Sequence, residues 1–189
     1  MGKAKKSGFA VFMNCVSGVC AVLTSVCFVL YYTGLLDYDI ILWVGVTAFT
    51  TTYHFLGRII VGYAIKLFKI DYNHGWFKQR KFEKPLYKFL KVRRWKEKVL
   101  TYDPESFMVE KHSLEEIAKT MSRSEVVHWI NQLLSISSLL FALLWGELWI
   151  FALTAVLAMI FDAQFIVVQR YNRPMVLRLI ERKKKREAI

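Results

Sequence analysis

The sequence predicts an all-α integral membrane protein with four transmembrane helices, and three observations carry that prediction. The 189 residues are 55% hydrophobic yet hold a net charge of +12, with 27 Lys and Arg against 15 Asp and Glu. The apolar and the basic residues occupy different stretches, the layout of a membrane protein with basic surfaces on one side. High hydrophobicity with only three prolines excludes disorder, collagen and a disulfide-stapled small fold.

A helix rises about 1.5 Å per residue, so crossing a hydrocarbon core of about 30 Å takes roughly 20 apolar residues. Four stretches of the single membrane domain 1–189 qualify: 9–32, 40–67, 126–145 and 148–168. The first contains no charged residue. Lys3, Lys5 and Lys6 before it imitate a secretory signal. Its apolar region is too long for one, and no small-residue cleavage site follows, so it is expected to be retained. The second carries His54, Arg58 and Lys66 in its later half.

Orientation follows from the basic residues. Three precede the first span, fifteen lie in 66–123 and eight follow from Arg170, whereas the connectors 33–39 and 146–147 have none. By the positive-inside rule both termini and the long central loop are expected in the cytoplasm, the chain crossing the cell membrane four times. Cys15, Cys20 and Cys27 all fall within the first span and form no C-x-x-C, so they read as small packing residues rather than disulfides or metal ligands.

The central region 68–125 is too long for a connector. Trp76, Phe77, Phe82, Tyr87, Phe89 and Trp95 alternate with Lys and Arg there. Such a segment is expected to lie on the headgroup layer, rings inward and cations on anionic phosphates. RNA binding is the competing explanation of that composition; placement between two spans favours the membrane surface, and no nucleic-acid partner is expected. Asp103-Pro104 has the residue types of a helix start, and Ser113-x-x-Glu116 is a capping box whose helix runs on into the third span.

Several polar groups stand where they cost most. Glu125 and His128 are three apart and share a helix face, a carboxylate able to orient an imidazole as a general base. The same spacing also fits a pair that merely marks the membrane boundary. Gln169, Arg170, Tyr171, Asn172 and Arg173 precede Pro174 at the exit of the fourth span, followed by a basic tail, 170–189. Arg170 and Arg173 are spaced to clamp a phosphate or carboxylate, or to serve as the positive flank. Arg93, Arg94, Trp95 and Lys96 form a cation–aromatic cluster fit for a headgroup, a diphosphate-bearing donor or simple anchoring. His54 and Arg58 share a face inside the second span, either as structural hydrogen-bonding groups or as pocket residues. Asp162, inside the fourth span, is expected to partner one of them. His74 reads as a surface turn residue. No Walker loop, Rossmann fingerprint or G-x-S-x-G occurs.

Three segments are recognisable together. Arg93-Arg94-Trp95-Lys96-x-Lys98-Val99-Leu100 resembles the R-K-W-K-x-K-[IL]-L block of the bacterial glycosyl-4,4'-diaponeurosporenoate acyltransferases. Arg123-x-Glu125-x-x-His128-Trp129 is similar to their R-x-E-x-x-H-W, and Val168-Gln169-Arg170-Tyr171-Asn172-Arg173-Pro174 to their V-Q-R-Y-N-R-P. Order and spacing agree from Phe82 to Leu177. The resemblance implies a membrane O-acyltransferase of carotenoid or glycolipid metabolism that places a fatty acyl group on a sugar hydroxyl. By it, Glu125 and His128 become the catalytic pair. Arg123, Trp129, Gln169, Arg170, Tyr171, Asn172, Arg173, Arg94, Trp95, Lys96, His54 and Arg58 become candidate substrate-binding residues. The acyl donor would be acyl-CoA or an acyl carrier protein, with no bound cofactor and no metal. The partners would be anionic membrane lipids and a lipid-linked acceptor. Two other classes compete: a non-enzymatic membrane factor binding anionic lipid or a partner enzyme, and a lipid hydrolase using the same dyad with water.

Overall fold

The computed structural model describes residues 8–100 and 102–188. Every regular element among them is helical. In chain order these are α1 (Gly8–Tyr32), α2 (Asp39–Ala64), α3 (Glu83–Phe89), α4 (Val92–Trp95), α5 (Leu114–Ser137), α6 (Ala142–Trp145) and α7 (Leu148–Glu187). Short 3-10 turns fill many of the gaps between them. Among the described residues four helices are long and apolar enough to cross a membrane. Lys3, Lys5 and Lys6 lie outside the described residues.

Burial is inverted relative to a water-soluble bundle. Arg173, Glu125 and Asp162 are completely buried, while Val19 and Leu143 are 67% and 85% exposed. An apolar outer belt around a polar interior is what a hydrocarbon solvent selects.

Each helix boundary has a local cause. The Ser113–Glu116 capping box is present in both directions and starts α5, which continues without a break into the expected third span. Near its far end the Ser137 and Ser138 hydroxyls bond the carbonyls of Leu134 and Ser135, and the chain tightens into a 3-10 turn, Ser138–Phe141, before α6. Gly146 then adopts φ +74°, a left-handed conformation suited to glycine, and reverses the chain into α7 within two residues. Asp103 does not cap a helix backbone: its carboxylate takes the Ser106 hydroxyl at 2.6 Å, and only a 3-10 turn follows.

The basic tail departs most from expectation. It continues the helix past the expected span end at 168 and through Pro174; α7 runs 40 residues to Glu187, about 60 Å and twice the hydrocarbon thickness. Proline removes only the bond to the Arg170 carbonyl. The residues after it, rich in Leu, Arg, Lys and Glu, favour the helix strongly enough to continue.

Packing pairs α1 with α2 and α5 with α7, both antiparallel, with α2 lying against α5 and α7. At the Gly146 end, Val46, Ile150 and Phe151 form a core sheathed by Phe49, Phe141 and Trp145. Phe49 meets Phe141 edge-on at 4.9 Å. At the opposite end the seam is polar, and the short helices α3 and α4 lie beside the extension of α7. On α1–α2, Gly45 lets the Phe28 ring and Cys27 lie against the α2 backbone; a Cβ there would stand 2.8 Å from the Phe28 ring. Because small residues set helix separation in membranes, Gly45→Leu should cost about 1–3 kcal/mol, seen as a lower unfolding temperature in detergent. An unchanged midpoint would show that this contact is not tight.

Candidate active site

Along the α5–α7 seam the helices run antiparallel, and several polar residues of α5 meet partners on α7. Ser124 faces Gln169, Asn131 faces Asp162 and Gln132 faces Met159. Two charged centres sit in this seam.

The first surrounds Glu125. Its Oε1 accepts from Arg170 Nη1 at 2.7 Å, and its Oε2 accepts from Arg173 Nη2. Arg170 reaches further, its Nε and Nη2 donating to Glu83 Oε1 at 2.9 and 2.5 Å. The same guanidinium also donates to the backbone carbonyls of Trp76 and Lys78. The Arg173 guanidinium lies over the Phe77 ring, 4.7 Å from its centre. Tyr87 donates to Glu83 Oε2 at 2.8 Å. Burial pushes the Tyr87 phenol well above its ordinary range, and the bond to Glu83 adds to the shift. Two carboxylates and two guanidiniums therefore neutralise one another while tying α3 to α5 and α7.

The second centre surrounds Asp162, roughly two turns deeper. Asp162 Oδ1 pairs with His128 Nδ1 at 2.7 Å and accepts from Asn131 Nδ2 at 3.2 Å. Its Oδ2 is held by Arg58 Nη2 from α2. Arg58 is held in turn by the His54 carbonyl at 2.8 Å and the Ser135 hydroxyl at 3.1 Å. The His128 ring lies flat on Phe165, centroids 4.3 Å apart and planes 6° apart. Asp162 is completely buried, whereas the His128 side chain keeps 16% exposure. With Nδ1 donating to the Asp162 oxygen, Nε2 is left with a lone pair. An imidazole of fixed tautomer, held against a carboxylate and partly open, has the arrangement a general base requires.

This corrects the expected pairing. Glu125 and His128 share a face, but Glu125 does not hold the imidazole. Both side chains point across to α7, where Glu125 finds two guanidiniums and His128 finds a carboxylate. Each opposite-charge contact outweighs a neighbour on the same helix. The expected phosphate clamp is likewise closed from within: Arg170 and Arg173 grip Glu125 and Glu83. Of the two partners expected for Asp162, Arg58 is realised and His54 is not. The buried His54 ring has no hydrogen-bond partner for either nitrogen among the described residues.

The remaining expected residues scatter around these centres. Lys96 Nζ donates to Asn172 Oδ1 at 3.0 Å and lies over the Tyr171 ring, which meets Tyr87 edge-on. Trp95 bonds the Leu90 carbonyl, and Arg94 is exposed on α4. Trp129 stands edge-on to Trp76 at 6.3 Å. Arg123 enters no ion pair among the described residues, and its Nε is buried without a partner. His74 is exposed and accepts from the Trp76 backbone, as expected of a turn residue. Glu83, Tyr87, Asn131, Ser135 and Phe165 were not foreseen as members of the site. Only Asn131 and Ser135 left a trace in sequence, as polar residues in phase with His128 on an apolar helix. Among the described residues no three His, Cys, Asp or Glu side chains converge to hold a metal ion.

Removing Glu125 would leave Arg173 charged and fully buried. Glu125→Leu should therefore cost about 3–5 kcal/mol of stability in detergent, and adding Arg173→Met should recover part of it. Equal stability of the single variant and the parent would show that water screens the cluster.

A family model described as glycosyl-4,4'-diaponeurosporenoate acyltransferase matches residues 73–182. The match takes in α3, α4, α5 and most of α7, and so Glu83, Glu125, His128 and Asp162, but neither α1 nor α2, and so not Arg58. No curated protein and no solved structure matches the chain.

Proposed function

The chain belongs to the glycosyl-4,4'-diaponeurosporenoate acyltransferase family, and from that premise we propose that it moves a fatty acyl group onto a hydroxyl of a membrane glycolipid or glycosylated isoprenoid at the cytoplasmic leaflet. The observation that carries the mechanism is the 2.7 Å contact between His128 Nδ1 and Asp162. His128 Nε2 takes the proton of the acceptor hydroxyl while its oxygen attacks the carbonyl of an acyl thioester, acyl-CoA or acyl carrier protein. The C–S bond breaks, the new ester forms, and the imidazolium returns its proton to the departing thiolate. Asp162 stabilises the imidazolium and fixes the ring, the role first expected of Glu125. Arg58 pairs with the other oxygen of Asp162 and so holds the carboxylate in place for the imidazole.

Glu125, Arg170 and Arg173 act as the frame of the site. They hold α3 and the long α7 against α5, and so fix the depth of His128. The cytoplasmic assignment rests on the fifteen basic residues of 66–123 and the eight from Arg170 onward, which flank the same end of the bundle.

His128→Ala should lower formation of the acylated lipid by at least about 100-fold, the lower range for loss of a positioned base, with the protein still accumulating in membranes. Mass spectrometry of membrane lipids reads the product as a gain of one fatty acyl group, and an acceptor-free control distinguishes transfer from hydrolysis. Normal product in the His128→Ala strain overturns the mechanism.

A further inference from the structure

Between α3 and the flank of the α5–α7 seam runs a groove of about 390 Å³, walled by Trp76, Phe82, Leu86, Trp129, Ile166 and Val167. We propose that it binds an anionic phospholipid of the bilayer, with one alkyl chain in the groove and the phosphate at Arg80. This goes beyond the acyl transfer at His128, because His128 does not line the groove. Its α5 wall is instead formed by Trp129 and Gln132.

Shape, access and charge select the occupant. The α7 residues along the groove run from Ala163 to Arg170, a rise of seven steps or about 10 Å parallel to a spanning helix. That is the direction an alkyl chain takes below its headgroup. The groove is bordered by exposed apolar side chains, Phe82 at 64% and Trp129 at 43%, so a chain enters sideways from the bilayer without crossing water. At the polar end, Glu83 and Arg170 satisfy each other. Arg80 lines the same groove and enters no ion pair among the described residues, nor do Lys78, Lys81 and Lys84 beside it. The uncompensated charge at the mouth is thus positive, which favours an anionic headgroup over a zwitterionic one. A seated chain would touch α3, α5 and α7 together, joining the interfacial helix to the bundle.

The test uses the purified full-length protein in detergent micelles doped with phosphatidylglycerol or phosphatidylcholine carrying dibrominated chains. Bromine quenches tryptophan at contact, and the component of quenching absent in Trp129→Phe reports the groove. That component should half-saturate at about fivefold less phosphatidylglycerol than phosphatidylcholine, the effect of one basic side chain at an anionic surface. Arg80→Gln, a surface change that leaves the fold alone, should erase the preference, and Val167→Trp should fill the groove and erase the component itself. Equal half-saturation by the two lipids, or a preference that survives Arg80→Gln, overturns the proposal. So does displacement of the brominated chain by palmitoyl-CoA at lower concentration than by phosphatidylglycerol, which would assign the groove to the thioester donor.

Discussion

A carboxylate inside hydrocarbon has to be paired or protonated, and that requirement organises this protein around Asp162. Its two oxygens gather Arg58 from α2 and both His128 and Asn131 from α5. Three spanning helices therefore meet at one side chain. Apolar contacts alone would fix their rotation and depth poorly, because lipid competes with side chains for the same surface. Opposite charges at contact distance in a low dielectric do not tolerate a slip of one residue, so the Asp162 junction sets the register.

The Glu125 centre applies the same principle where the bundle meets the interface. Glu83 sits on a short helix, α3, that has too few residues to be stable alone. Arg170 bridges it to Glu125 and to backbone carbonyls of the preceding turn, so the segment between the two helix pairs is docked through a guanidinium fork. Tyr87 and Tyr171 then pack edge to face, and Lys96 reaches Asn172 beyond them. Because α7 stays helical past the expected span end at 168, Tyr171, Asn172 and Arg173 have a rigid frame from which to meet α3 and its neighbours.

The four long apolar helices were legible because a run of twenty apolar residues is a local property that favours one continuous helix. The start of α5 was legible for a similar reason, its capping box being contained in four residues. The continuation of α7 was not. A proline after a polar cluster looks like a stop, and only the helix-favouring residues beyond it outweigh one missing hydrogen bond. At the site the residue types were legible and their partnerships were not. Glu125 and His128 stood out as a pair because helix periodicity makes i,i+3 neighbours visible. Asp162, 34 residues further on, has no periodic relation to His128, and Glu83 lies 87 residues from Arg170.

By itself, then, the amino-acid chain determined the lipid-facing helices, the uneven distribution of positive charge and the identity of the acidic, basic and imidazole groups available for chemistry. All of these depend on composition over a few turns of one helix. Which carboxylate holds the imidazole, which guanidiniums are already occupied, and which flank of the seam is open were decided only in tertiary structure. An ion pair is chosen by distance in space, and antiparallel packing of α5 on α7 brings remote residues closer than sequence neighbours.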